Sequence, residues 1–211
     1  QINVPRDYWT QVIDIELPQV IEVERSPGGE AAIAKAAALL SEASFPVILN
    51  GAGAVLSGAI ETSVSLAERL GAPVCCNYQH NDAFPGSHPL AAGPLGYNGS
   101  KAAMELISRA DVVLALGTRL NPFSTLPGYG IDYWPKDARL IQVDINADRI
   151  GLTKKVDVAI QGDARRVAEQ LLRQLSVNSG DQGRAQRADL IAKCKSDWAS
   201  ELASMDHEED D

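Results

Sequence analysis

The stretch Phe45-Pro46-Val47-Ile48-Leu49-Asn50-Gly51-Ala52-Gly53 decides the fold. A short continuous apolar run closed by a glycine turn marks a strand buried on both faces. Before it, Glu30 to Ser44 is Ala/Leu-rich, with Ile33, Ala37 and Leu40 at helical spacing. That pattern predicts an amphipathic helix. After it, Ser57 to Leu70 predicts a second helix, stopped by Gly71 as its C′ residue.

The same unit recurs along the chain. Ala72 to Cys76 predicts a strand, and Ser100 to Arg109 a helix with Ser100 as N-cap. Asp111 to Gly117 predicts a strand buried on both faces. Arg139 to Ile145 and Val156 to Gln161 predict two more, and Asp163 caps a helix over Ala164 to Leu175. Strands alternating with helices imply right-handed βαβ units and a parallel sheet covered on both sides. The fold class is therefore a doubly wound α/β domain over residues 30–175.

The flanks have a different character. Gln1-Ile2-Asn3-Val4-Pro5 alternates like a strand but has no local partner, and unpaired strand edges are costly. It is expected to be the last strand of a preceding domain. Tyr8 to Gly29, with Pro18, Pro27 and Ser26-Pro27-Gly28-Gly29, is expected to be a connector running over a surface. From Ser176 onward a linker leads to a predicted helix over Gln186 to Met205. The closing His207 to Asp211 is expected to be solvated.

The 211 residues carry a formal charge of −9. Such an acidic balance excludes the basic face that nucleic-acid binding needs. No apolar run approaches the ~18 residues of a membrane span. Cys75, Cys76 and Cys194 are odd in number, and two are adjacent in an apolar run. This fits neither a disulfide framework nor a zinc knuckle, and points to inert core thiols in a reducing cytoplasm.

In an open parallel sheet, ligands bind beyond the C-terminal ends of the strands. Four such ends carry suggestive residues. Gly51 and Gly53 allow close backbone approach, and the amides opening the next helix could hold a phosphate. Gly117-Thr118-Arg119 sets a guanidinium beyond a buried strand. Asp144 and Ile145 end the next strand, where a carboxylate can take a ribose hydroxyl pair. Gly162-Asp163 is a second acidic strand end. Their co-occurrence points to a nucleotide site, against the plainer reading of tight turns and a helix cap. Stand-alone catalysis is poorly supported. His80, His88 and His207 lack metal spacing, and no Gly-x-Ser-x-Gly elbow occurs. His88 before Pro89 is expected to organise its loop, and Trp9, Trp134 and Trp198 to anchor loops and interfaces.

Taken together, the segments resemble the central domain of thiamine-diphosphate enzymes of the acetolactate synthase and pyruvate oxidase type. The resemblance rests on Val4-Pro5-Arg6-Asp7, on Phe84-Pro85-Gly86-Ser87-His88-Pro89 with Gly93 to Gly99, and on Val143-Asp144-Ile145 with Ile150-Gly151. It implies a Rossmann-like, doubly wound six-stranded parallel sheet. It also implies residues 1–29 as the end of a pyrimidine-binding domain plus linker, and 176–211 as the lead into a diphosphate-binding domain. Within the family, Asn77 to Asp82 and Asn121 to Gly130 are most similar to the sulfoacetaldehyde acetyltransferase branch. That branch turns sulfoacetaldehyde and phosphate into acetyl phosphate and sulfite, with thiamine diphosphate and Mg²⁺.

By this resemblance the cofactor residues lie in the two flanking domains of the same chain, and the present residues hold no catalytic or metal ligand. Their work would be scaffold and homo-oligomer packing, with loop 77–99 reaching toward the active site through Tyr78, His80 or Asn98. Flavin-binding relatives place FAD on Gly51, Ala52, Gly53, Asn77, Leu95, Gly96, Gly117, Arg119, Asp144, Ile145, Gly162 and Asp163. Here Arg119-Leu120-Asn121-Pro122-Phe123 replaces their Arg-x-Asp-Asp-Arg, and Arg149 replaces an acid. The lost second cation argues against FAD, whereas an ADP-type half, as in ADP or CoA, stays compatible with Asp144 and Arg119. The alternatives are a regulatory ADP- or CoA-binding module, a vestigial site with a structural role, and another thiamine-diphosphate enzyme such as an acetolactate synthase.

Overall fold

The computed structural model describes residues 3–176, 179 and 183–205. Its centre is a sheet of six parallel strands in the order β3-β2-β1-β4-β5-β6. These are β1 (Pro46–Asn50), β2 (Val74–Asn77), β3 (Ala91–Leu95), β4 (Val112–Leu116), β5 (Arg139–Asp144) and β6 (Val158–Gln161). β1 and β4 are adjacent, with Ile48 opposite Leu114 and Asn50 opposite Leu116. The chain winds outward from this pair in both directions, so the crevice of a doubly wound sheet opens there.

Strand side chains alternate between two apolar layers, as a period of two requires. Ile48, Val74, Cys76, Leu114, Leu116, Ile141 and Val143 face one layer. That layer holds α1 (Glu30–Glu42), α3 (Ile60–Leu70) and α6 (Ala164–Gln174), which contribute Ile33, Leu40, Leu66, Leu70, Val167 and Leu171. Val47, Leu49, Cys75, Val113, Ala115 and Leu140 face the other layer. There α4 (Lys101–Ser108) supplies Met104, Leu106 and Ile107, and α7 (Arg184–Met205) supplies Ile191 and Cys194. The adjacent thiols of Cys75 and Cys76 thus enter opposite layers, and both are free and buried.

The predicted caps sit where the sequence puts them. Ser100 accepts from Ala103 N–H, Asp163 from Arg165 and Arg166 N–H, and Gly71 adopts the left-handed conformation at φ 59°. Three readings need amendment. The helix predicted over Ser57 to Leu70 begins only at Ile60, as α3, and a short unpredicted helix, α2 (Ala52–Leu56), precedes it across a turn at Gly58 with φ +69°. The long loop Asn77 to Gly99 contains β3. Its Gly93-Pro94 conceals the strand in the sequence, yet an edge strand tolerates a proline, and a register shift between Val74 and Cys75 accommodates it. Finally, α7, beyond the 30–175 span, packs into the second layer through Ile191 and Cys194. Buried Arg187 donates to the carbonyls of Gly71, Leu70 and Ser44, and Arg184 to those of Glu68 and Arg69.

Of the N-terminal stub, Gln1 and Ile2 lie outside the described residues. Asn3 to Pro5 form no strand, and Arg6–Tyr8 is a single 3₁₀ turn. The connector to Pro27 is exposed throughout and meets the domain only near its end. There Arg25 pairs with Asp163 at 3.0 Å, and Asp163 N–H donates to the Ser26 carbonyl at 2.9 Å. His207 to Asp211 and most of the linker at 177–182 lie outside the described residues.

Candidate functional site

Where β1 and β4 end, two glycine turns press together. Gly51 N–H donates to the Leu116 carbonyl at 3.1 Å, and Gly53 N–H to the Gly117 carbonyl at 2.8 Å. A Cβ on Gly51 would stand 2.6 Å from the Gly117 oxygen, and one on Gly53 2.7 Å from Gly117 Cα. The glycines are therefore required for turn-to-turn packing. Their amides are spent inside the protein, and α2, at five residues, is too short to add a dipole. The phosphate cradle expected from this turn is not formed by Gly51 and Gly53.

A pocket of about 620 Å³ opens directly above. Seven of the eight residues singled out from the sequence line it: Gly53, Gly117, Arg119, Asp144, Ile145, Gly162 and Asp163. Gly51 does not, because it lies beneath, against Thr118 and Asn77. The lining also includes Arg25, Leu56, Gln79, His80, Asn121, Asn146 and Arg149. Of loop 77–99, His80 reaches the pocket, while Tyr78 and Asn98 are absent from its lining.

The carboxylates are partly occupied. Asp163, 4% exposed, accepts two amides of α6 and the Arg25 guanidinium, so it is a cap and an anchor for the connector. One oxygen of Asp144 accepts from Asn146 N–H at 2.9 Å. The cations are freer. Arg119 and Arg149 line the pocket, and neither forms an ion pair among the described residues. Arg25 lines the pocket too, with its guanidinium paired to Asp163 at 3.0 Å. Arg149 was visible as a departure from the flavin-binding pattern. Arg25 carried no signal, since it stands 138 residues from the aspartate it meets.

Other candidates resolve into structural roles. His88 Nδ1 accepts from Leu90 N–H at 3.2 Å, which leaves Nε2 to face Glu68 at 3.3 Å, and its ring meets Phe84 edge-on. It organises its loop. Trp198 packs against Tyr129 with Lys101 over both rings, and Lys154 sits over Trp134. Trp9 is exposed. Burial pushes the Cys76 thiol up to about 12 and raises that of Cys75 as well, so both are poor nucleophiles.

Among the described residues, no group of three His, Cys, Asp or Glu is placed to hold a metal ion. The Gly162-Asp163 pair has its carboxylate committed to α6 and Arg25. These residues do not fit a metal-bound diphosphate.

Comparison with known proteins agrees with this geometry. The chain is 72% identical, over all 211 residues, to a sulfoacetaldehyde acetyltransferase of Roseovarius nubinhibens, and covers 35% of that protein. It is 32% identical over 175 residues to the acetolactate synthase large subunit of Corynebacterium glutamicum, covering 81% of this chain and 28% of that one. The chain thus spans about a third of the length of the relatives it matches. Benzoylformate decarboxylase from Polynucleobacter necessarius shares the fold, with a TM-score of 0.63 at 20% identity over 81% of this chain and 32% of that chain. The family model for the thiamine pyrophosphate enzyme central domain matches residues 33–171, from the first turn of α1 to the last turn of α6. That span takes in all six strands of the doubly wound sheet, and the chain belongs to the thiamine pyrophosphate enzyme central-domain family.

Proposed function

We propose that this domain is the middle third of an acetyltransferase that converts sulfoacetaldehyde and phosphate into acetyl phosphate and sulfite. The 72% identity across every residue of the chain carries this reading, against 32% for an acetolactate synthase. Thiamine diphosphate and Mg²⁺ belong to the pyrimidine-binding and diphosphate-binding domains on either side. This domain supplies the rigid scaffold between them, packing surface for a homo-oligomer and, through the loop bearing His80, part of the substrate channel. Three free buried thiols support a reducing cytoplasm as its place of work.

The test is sulfite release from sulfoacetaldehyde and phosphate by the full-length enzyme, run beside acetolactate formation from pyruvate. Sulfite with acetyl phosphate is expected. Acetolactate alone would overturn the reading.

A second reading concerns the pocket itself. Arg119 and Arg149, which line it without an ion pair among the described residues, support an ADP-type ligand such as ADP or CoA, with both on the phosphates. Calorimetric titration of the full-length enzyme with both ligands tests it. Binding weakened at least tenfold by Arg119→Ala with Arg149→Ala is expected; no heat with either ligand assigns the pocket a purely structural role.

A further inference from the structure

Residues 12–24 form an extended arm with a sharply two-sided pattern. Ile13, Ile15, Leu17, Ile21 and Val23 are apolar at odd positions, Val12 and Val20 add an aliphatic side chain at the start of each half, and all seven are at least 61% exposed. Asp14, Glu16, Glu22 and Glu24 alternate with them, and no Lys or Arg stands between Arg6 and Arg25. In extended chain successive side chains point to opposite faces. The arm is thus two strand-like pieces meeting at Pro18, each with one wholly aliphatic face and one face that bears two carboxylates beyond a leading valine. Among the described residues, no hydrogen bond from the arm's backbone is formed at 12–24. Its root is fixed, through Arg25 on Asp163 and Ser26 on the Asp163 amide.

Seven large aliphatic side chains in water, beside a row of unpaired backbone groups, are not stable as they stand. We infer that the arm is a docking strand for a flanking domain of the parent enzyme, whose receiving groove is apolar along its floor and basic along its rim. The inference rests on the proposed reading of the chain as a middle domain. The relatives support that occupant over a second copy, since about two thirds of their length lies outside the matched region. The four carboxylates call for a basic rim. From its root, thirteen extended residues reach about 40 Å, enough to cross a neighbouring domain.

Hydrogen exchange tests this in the full-length enzyme and in the 211-residue chain side by side, without substrate. Amides of 12–24 are expected to exchange at least tenfold more slowly in the full-length enzyme, and at unprotected rates in the shorter chain. Equal unprotected rates in both would overturn the inference. So would protection in the shorter chain that grows with concentration, which would mean a second copy. Ile15→Asp with Ile21→Asp is expected to abolish the protection and lower the full-length Tm, while the shorter chain melts unchanged. A fall in both would mark a general folding defect and count against docking. Sulfite release by the unmodified enzyme is read separately, so failure of the proposed activity and failure of the arm are distinguishable.

Discussion

Asn77 at the end of β2 and Thr118 just beyond β4 join the two sides of the crevice through one hydroxyl. Asn77 Nδ2 donates to Thr118 Oγ1 at 2.9 Å, and Oγ1 lies 3.1 Å from Asn77 Oδ1 as donor. The same oxygen accepts from Leu120 N–H at 3.2 Å, holding buried Leu120 in the left-handed region at φ 52°. Asn77 and Thr118 are buried, and both line the floor of the pocket.

Thr118→Val keeps the shape of the side chain but strands the Asn77 amide and the Leu120 N–H. Leaving a buried polar group unpaired costs about 1–3 kcal/mol. Urea denaturation should show a loss in that range with an unchanged m-value, and Thr118→Ser should recover most of it.

Gly117→Ala and Gly130→Ala separate close packing from backbone strain. Both glycines have positive φ, +63° and +74°. A Cβ at Gly117 would meet Ala54 N at 2.6 Å and Gly53 Cα at 2.7 Å, whereas nothing lies within 4 Å at Gly130. The Gly130 change should cost about 1–2 kcal/mol, the strain of the left-handed region alone. The Gly117 change should cost clearly more, or prevent folding, as read by circular dichroism and thermal melts.

Arg187→Met tests what holds α7 to the sheet. The guanidinium, in a residue 2% exposed, caps the carbonyls at the end of α3, where the helix dipole favours a cation. Methionine keeps the volume and loses the bonds. A loss of about 3 kcal/mol is expected from several charge-assisted bonds. Limited proteolysis within α7 should accelerate before the rest of the domain becomes sensitive.

Asp157 gives the domain part of its acid sensitivity. Burial pulls its carboxyl upward, but the Leu140 N–H, Arg139 and Lys155 outweigh this and hold it below the usual carboxylate range. The folded state therefore binds fewer protons near the free value of about 3.9. Its contribution is complete above that pH and is lost as pH falls through the lower folded value. Stability curves for Asp157→Asn and the unmodified chain should differ most above about pH 4 and converge below it.

Cys76 and Cys75 should resist alkylation in the folded state. The Cys76 thiol, raised to about 12 by burial and then by Asp82, is almost wholly protonated at pH 8. Iodoacetamide labelling followed by mass spectrometry should be at least a hundredfold slower than in urea. Rapid native labelling would mean that the strand ends open.

Much of the fold was legible in the chain because it rests on local rules. Continuous apolar runs at Val47 to Leu49 and Val112 to Leu116 announce strands buried on both faces, and Ser100, Asp163 and Gly71 announce helix ends. β3 escaped because Gly93-Pro94 breaks local propensity, and only its place at the sheet edge makes the break tolerable. α2 escaped because Ala52 and Gly53 read as part of a glycine turn, and five residues are too few to show a helical period.

For the site, strand ends could be located from sequence, and seven of eight chosen residues line the pocket. What those residues do there could not. Whether a glycine amide faces a ligand or a neighbouring carbonyl depends on how closely two turns approach, which is set by strand pairing across the sheet. The charge of the pocket likewise depended on Arg25, delivered from a connector 138 residues from Asp163. Periodicity and capping act within a few residues and are written in the chain itself. Electrostatics and close packing act through space, so the tertiary structure alone decided which amides were spent and which cations met.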